Sequence, residues 1–347
     1  MDIWKATEAL TRRAPRPEDL RVHRLHLIAA RARHRAGEPV SDALRAEVRL
    51  AAASALAVPV LLSRVRAACN GPIVLMKGPE VGARYPDPAL RPCKDLDLLV
   101  DNPIGVQRAL RAAGFVPTGT PHLYEGIHHL RPLFLPGLPV TIEVHARPKW
   151  PDHMTAPPAA ELIEAAVPGA LDVPGVLTLP VAHHAVMLAA HAWAHEPLAC
   201  AGRLIDVSVM ALEADPAEAD AIARRWCCRR LWRTTRRAAA ALVEGEPSPL
   251  AMRLWARHLS EARERTVIEG HVTRTAGELW GLPPARAARS AMTAIAGSAG
   301  REPGEPWAQK VGRTRAAIGH ASLPKSEHDE RSWALQPPPF GEERKGA

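Results

Sequence analysis

The chain has 347 residues and a mass of 37.5 kDa, with 47% hydrophobic and 24% charged residues; that composition excludes wholesale disorder and suits two or three compact units. A net charge of +8 and a pI near 9.6 invite a polyanionic partner, but the positive charge is spread along the chain rather than gathered in one patch. Five cysteines, an odd number without CxxC spacing, exclude a disulfide framework and a cysteine zinc site.

The N-terminus has no apolar signal core, and no uninterrupted apolar run reaches membrane-spanning length. The expectation is a cytoplasmic protein that does not use a membrane. Residues 1–66 are predicted to be a helical N-terminal segment, with Leu44, Val48, Ala52 and Leu56 recurring at helical spacing. Pro59 is predicted to break or kink that helix. After Asn70-Gly71-Pro72 the pattern changes. Residues 73–76 read as a short buried strand, ended by Lys77-Gly78-Pro79.

A turn-rich loop, Tyr85-Pro86-Asp87-Pro88, leads to a second strand over 96–100. Asn102-Pro103 reads as an N-cap with proline at N1, and Gly114 closes the helix about three turns on. A further strand follows at 140–145. Beyond 157 the pattern is helical, and from 298 glycine, proline and charge replace apolar residues, predicting a flexible tail. The fold class is α+β, with a 67–156 α/β core, a 157–297 helical domain and a 298–347 tail.

The segment with chemical content is Lys94-Asp95-Leu96-Asp97-Leu98-Leu99-Val100. On a strand, Asp95 and Asp97 share one face while Leu96 and Leu98 share the other. Two same-face carboxylates about 6.5–7 Å apart at Cα can converge on a divalent cation that relieves their repulsion. Removing one of them is therefore expected to leave the metal-free protein as stable as before, or more so. Upstream, Lys77 and Gly78 offer a cation and close backbone approach to a phosphate. Downstream, Glu143 brings a third carboxylate, with Ile142 and Val144 on the opposite face. Arg84 and Arg91 flank the intervening loop.

Taken in order, Leu75-Met76-Lys77-Gly78, Tyr85-Pro86-Asp87-Pro88-Ala89-Leu90-Arg91, Asp95-Leu96-Asp97-Leu98-Leu99-Val100, Gly114-Phe115 and Ile142-Glu143-Val144-His145 resemble the bacterial uncharacterised nucleotidyltransferases of the DNA polymerase β superfamily. The resemblance spans about residues 55 to 210. It implies a small polymerase-β-like core, a mixed sheet with helices, flanked by helical regions. It also implies Asp95 and Asp97 as the Mg²⁺ or Mn²⁺ pair, Glu143 as the third catalytic acid, and Lys77, Gly78, Arg84, Arg91 and Lys94 as nucleotide-binding. His191 and the Arg203-x-x-Asp206 pair are similar to the family's histidine-rich helix and R-x-x-D segment; with His145 and His184 they form a possible acceptor site. The chain departs from the wider superfamily in having Lys77-Gly78-Pro79 where Gly-Ser is usual.

The activity so implied is Mg²⁺-dependent transfer of a nucleoside monophosphate from an NTP, ATP by default, to a small molecule, peptide or protein, with pyrophosphate released. The alternative is a catalytically weak, nucleotide-binding regulatory protein of the same fold. A nucleic-acid partner, resting on the arginine-rich stretch 224–237, ranks last. Trp226, Trp232 and Trp255 in that region read as core. His128 and His129 read as surface in preference to a loop over the site.

Overall fold

The computed structural model describes residues 3–14 and 16–282, together with scattered positions from 285 to 326. Its contacts divide the chain into Met1–Arg263 and Glu264–Ala347. The predicted tail over 298–347 lies almost wholly outside the described residues.

In the first unit, α1 (Ile3–Arg13), a 3-10 turn at Pro17–His23 and α2 (His26–Arg35) precede α3 (Asp42–Ala68). The Ser41 hydroxyl caps α3, accepting from the Leu44 N–H at 3.2 Å. Pro59 lies inside this helix and does not end it. The buried residues Val58, Leu61, Leu62 and Val65 pack into the core on both sides of the proline, which offsets the roughly 3 kcal/mol a mid-helix proline costs. By length and composition α3 does reach membrane-spanning size, with a mean hydropathy of 1.6 in its most apolar window. One face is built into the core, whereas Leu50, Leu56 and Val60 are exposed.

The next elements are β1 (Ile73–Leu75), α4 (Pro79–Gly82), β2 (Asp95–Leu99), α5 (Pro103–Ala112), β3 (Val116–Pro117), β4 (Leu133–Phe134) and β5 (Thr141–His145). As expected, Asn102 caps α5, its side-chain oxygen accepting from the Gly105 N–H at 2.9 Å. The region beyond 157 is not helical from its start. After α6 (Ala159–Glu164) come β6 (Val167–Pro168) and β7 (Val176–Thr178). These strands are two and three residues long, too short to show the alternation that marks a strand.

The seven strands form one mixed sheet in the order β3-β4-β5-β2-β1-β7-β6, so β7 pairs in parallel with β1 and completes the core. Leu96, Leu98, Ile142 and Val144 turn to one face and pack against residues of α3 and α5. The other face carries the polar residues and meets α7 (Val181–His195), which packs in turn against α8 (Ala201–Ala211), α9 (Pro216–Arg225) and α10 (Arg229–Val243), followed by α11 (Leu250–Trp255) and α12 (Arg257–Glu261). Trp226, Trp232 and Trp255 are buried, as their sequence context implied. Two of the indoles are tied to carboxylates: Trp226 donates to Glu161 at 2.8 Å and Trp232 to Asp220 at 3.2 Å. Asp220 also takes Arg229 and Arg233 as ion-pair partners, and Glu161 takes Arg225. The basic stretch is thus partly neutralised and its aromatic rings are not offered to solvent.

The second unit contains α13 (Val267–Gly281), started by a capping box in which Thr266 and Glu269 satisfy each other's backbone N–H groups.

Candidate active site

β2 and β5 run parallel with Asp97 opposite Glu143 and Leu99 opposite His145. Their alternation is in phase, so the apolar pairs Leu96–Ile142 and Leu98–Val144 enter the core together, while the acids emerge together on the helical side. On the other flank of β2, the Met76 N–H donates to the Asp97 carbonyl at 3.0 Å, which fixes Lys77 beside Asp97. Gly78 follows with φ +76° and ψ −120°, a conformation that needs glycine. A Cβ there would also meet the Asp95 carbonyl at 3.4 Å and the Cys93 sulfur at 3.5 Å.

Asp97 is 1% exposed. Its Oδ1 lies 3.1 Å from the Lys77 ammonium and 3.0 Å from His145 Nε2, which in turn lies 3.5 Å from Glu143 Oε2. Burial pushes the Asp97 carboxyl up, but Lys77 and His145 outweigh it and hold the group well below the ordinary carboxylate range. Glu143 is likewise lowered, burial being outweighed by its contact with His145. His145 is raised, because Asp97 and Glu143 more than offset its desolvation. Asp95 goes the other way: burial raises it, Lys77 compensates in part, and Asp97 and Glu143 raise it further.

These are close charge contacts without directional bonding, since neither Asp97 oxygen accepts a well-aligned hydrogen bond. Ligand atoms of Asp97, Glu143 and His145 lie within 4.8 Å of one another. A buried carboxylate with unused lone pairs, a second acid and an imidazole at that spacing fit a divalent cation. Asp95 stands one same-face step along β2, beside this cluster and only partly compensated by Lys77. The residues present therefore suit the metal that the motif implies.

The remaining predicted residues separate into groups. Lys77, Gly78, Asp95, His191 and Arg203 line one cleft together with Arg24. Asp97 and His145 line an adjoining recess with Lys149 and Met187, and Lys77, Leu188 and His191 are common to both. Arg91 and Asp206 also border the first cleft but are committed to each other: Arg91 Nε and Nη2 donate to the two Asp206 oxygens at 2.8 and 2.9 Å, and the Tyr85 hydroxyl adds a third bond at 2.8 Å. Arg84 is paired with Glu80 and Glu213, at 3.2 and 2.9 Å, and is not among the cleft residues. Lys94 is exposed at the start of β2, outside both linings. His184 is fully buried; burial and then the nearby Arg84 and Arg91 push it down to about 3, so it is a neutral core residue.

His129 corrects the surface reading. It is buried, pairs as a bridge with His145 and places Nε2 3.7 Å from Glu143. Backbone bonds from Leu130 N–H to the Val144 carbonyl and from Ala146 N–H to the His128 carbonyl lay this segment along β5. Two further residues, Lys149 and Arg24, line the site with little or no signal in the sequence. Lys149 carries a weak signal, a lysine six residues beyond the third acid in a chain whose basic residues are mostly arginine. Arg24 carries none, being one of many arginines in a helical segment.

A mixed sheet that presents in-phase acids from two parallel strands beside a Lys-Gly turn is consistent with a nucleotidyltransferase domain. Residues 20–244 match the family model described as uncharacterised nucleotidyltransferase, and the chain belongs to that family. No curated protein and no solved structure matches it.

Proposed function

We propose that this chain transfers a nucleoside monophosphate from an NTP, ATP by default, to a hydroxyl or amine of an unidentified small molecule, peptide or protein. The observation that carries the reading is the Asp97–Glu143 pairing across β2 and β5, with Lys77 closing on the same carboxylate. Gathering these charged groups in a buried cluster carries a desolvation cost, and binding a cation and a phosphate is a function that would retain it.

Asp97, Glu143 and His145, with Asp95 beside them, would hold Mg²⁺ or Mn²⁺. That metal, when bound, supplies charge that stabilises the α-phosphate as it is attacked and makes the acceptor more acidic. Lys77 and Gly78 hold the donor phosphates, the lysine by charge and the glycine by letting the backbone come close. Glu143, half-buried beside His145 and His129, orients the acceptor and takes its proton. The acceptor atom forms a bond to the α-phosphorus, the bond from that phosphorus to the bridging oxygen breaks, and the electron pair leaves with pyrophosphate. The intact set of acids favours turnover over a purely regulatory role. The test is pyrophosphate release and label transfer from α-labelled NTP with each divalent metal, against Asp97→Asn.

A further inference from the structure

We propose that Arg24 and Arg203, acting with Lys77, form a clamp for the β- and γ-phosphates of the donor, and for pyrophosphate once the bond has broken. This deepens the transferase reading and rests on it.

Arg203 lies on α8 three residues before Asp206, a spacing at which the two often pair on a helix. Here they do not, because both Asp206 oxygens are already taken by Arg91 and Tyr85. Arg203 instead lines the cleft that Arg24 and Lys77 enter from other elements. Among the described residues neither Arg24 nor Arg203 makes an ion pair. Burial lowers Arg203, and the charge of Arg24 lowers it further. The cleft lining carries four cationic side chains, Arg24, Lys77, Arg91 and Arg203, against two carboxylates, Asp95 and Asp206, an excess of positive charge that an anion would neutralise.

The meeting of these residues is built in by the backbone. Arg24 ends the 3-10 turn with φ +58°. His23 before it is buried, with Nε2 2.9 Å from the Arg263 carbonyl and its ring 5.9 Å from that of His258. Gly202, next to Arg203, lets this segment lie directly on α8. A Cβ at Gly202 would sit 2.8 Å from the His23 carbonyl and 3.1 Å from the Arg24 Cβ. Glycine within a helix costs about 1 kcal/mol relative to alanine, and here it permits the contact that delivers Arg24.

Size and position specify the ligand. The cleft encloses about 110 Å³, below the roughly 300 Å³ typical of sites that swallow a whole small molecule, so it suits a phosphate group rather than an entire nucleotide. It contains Asp95 and Gly78, and the recess containing Asp97, His145 and Lys149 adjoins it across Lys77. The donor phosphates then lie on the Asp95 side and the acceptor on the Asp97–Glu143 side.

The test is calorimetric titration with inorganic pyrophosphate in EDTA, which takes the metal out of the comparison. Arg24→Ala and Arg203→Ala should each weaken binding about tenfold or more, the usual size of a charge-assisted contact. Arg24→Lys should lose less, and Arg236→Ala, on the exposed face of α10, should bind as wild type. Gly202→Ala displaces the segment without removing a charge and should also weaken binding, with circular dichroism confirming the fold. If wild type transfers nucleotide while Arg24→Ala and Arg203→Ala bind pyrophosphate normally, the clamp is wrong and the transferase reading survives. If wild type binds neither pyrophosphate nor NTP, both are wrong.

Discussion

The Lys77 ammonium lies 3.1 Å from Oδ1 of Asp97, a carboxylate 1% exposed. In the metal-free protein this lysine and His145 supply the positive charge that a bound cation would otherwise bring. Lys77→Met should therefore lower stability in EDTA by about 1–3 kcal/mol, because a buried charge loses one of its two partners. It should also tighten Mn²⁺ binding in the absence of nucleotide, since a competing cation has gone. Equal melting temperatures and equal Mn²⁺ affinity would show that the contact carries no weight.

The two aspartates should respond in opposite directions. Asp97 has a depressed pKa, so its charge contributes stability above the unfolded carboxyl value near 4, and this is lost as pH falls through the folded value. Asp97→Asn should lower the melting temperature in EDTA at neutral pH. Asp95 has a raised pKa, so its charge is a penalty above that pKa, and Asp95→Asn should raise the melting temperature. This revises, for Asp97, the expectation that losing either acid leaves stability unchanged or improved: Lys77 and His145 more than compensate the repulsion there. Both variants shifting in the same direction would contradict the assignment.

The Arg91–Asp206–Tyr85 network should be structural. Asp206→Ala leaves a buried guanidinium unpaired and should cost about 3–5 kcal/mol in urea denaturation. Replacing both partners by apolar residues of similar volume, as in Arg91→Met with Asp206→Leu, should recover much of that loss. A single variant as stable as wild type would show that the network is dispensable.

His184 sets an acid limit. Its folded pKa is pushed down to about 3, so between the unfolded value of about 6.5 and 3 the unfolded chain binds a proton that the folded chain refuses. Stability should fall across that window as pH drops and level off below it. His184→Leu should flatten the profile, read from denaturant midpoints at several pH values; an unchanged slope would place the acid sensitivity elsewhere.

The site was legible wherever strand alternation carried it. Asp95, Asp97 and Glu143 stand out because polar residues punctuate otherwise apolar strands, and Gly78 because it ends one. Sequence could not say that Arg91 and Asp206 neutralise each other, since they are distant in the chain and meet only when α8 packs beside the loop. It could not show His129 either, whose pairing with β5 follows a loop that lacks strand pattern. The strands β6 and β7 were too short to register. Pro59 predicted a break or kink, and α3 runs on through it with its buried stripe continuous.

The central claim, that the β2–β5 carboxylate cluster performs nucleotidyl transfer, is tested most directly with α-labelled NTPs. Wild type and Asp97→Asn would be incubated with Mg²⁺ or Mn²⁺ and a cell extract as acceptor source. The account predicts label on an acceptor, pyrophosphate released in equal amount, and neither with the variant. Metal-dependent transfer by Asp97→Asn at the wild-type rate would contradict it.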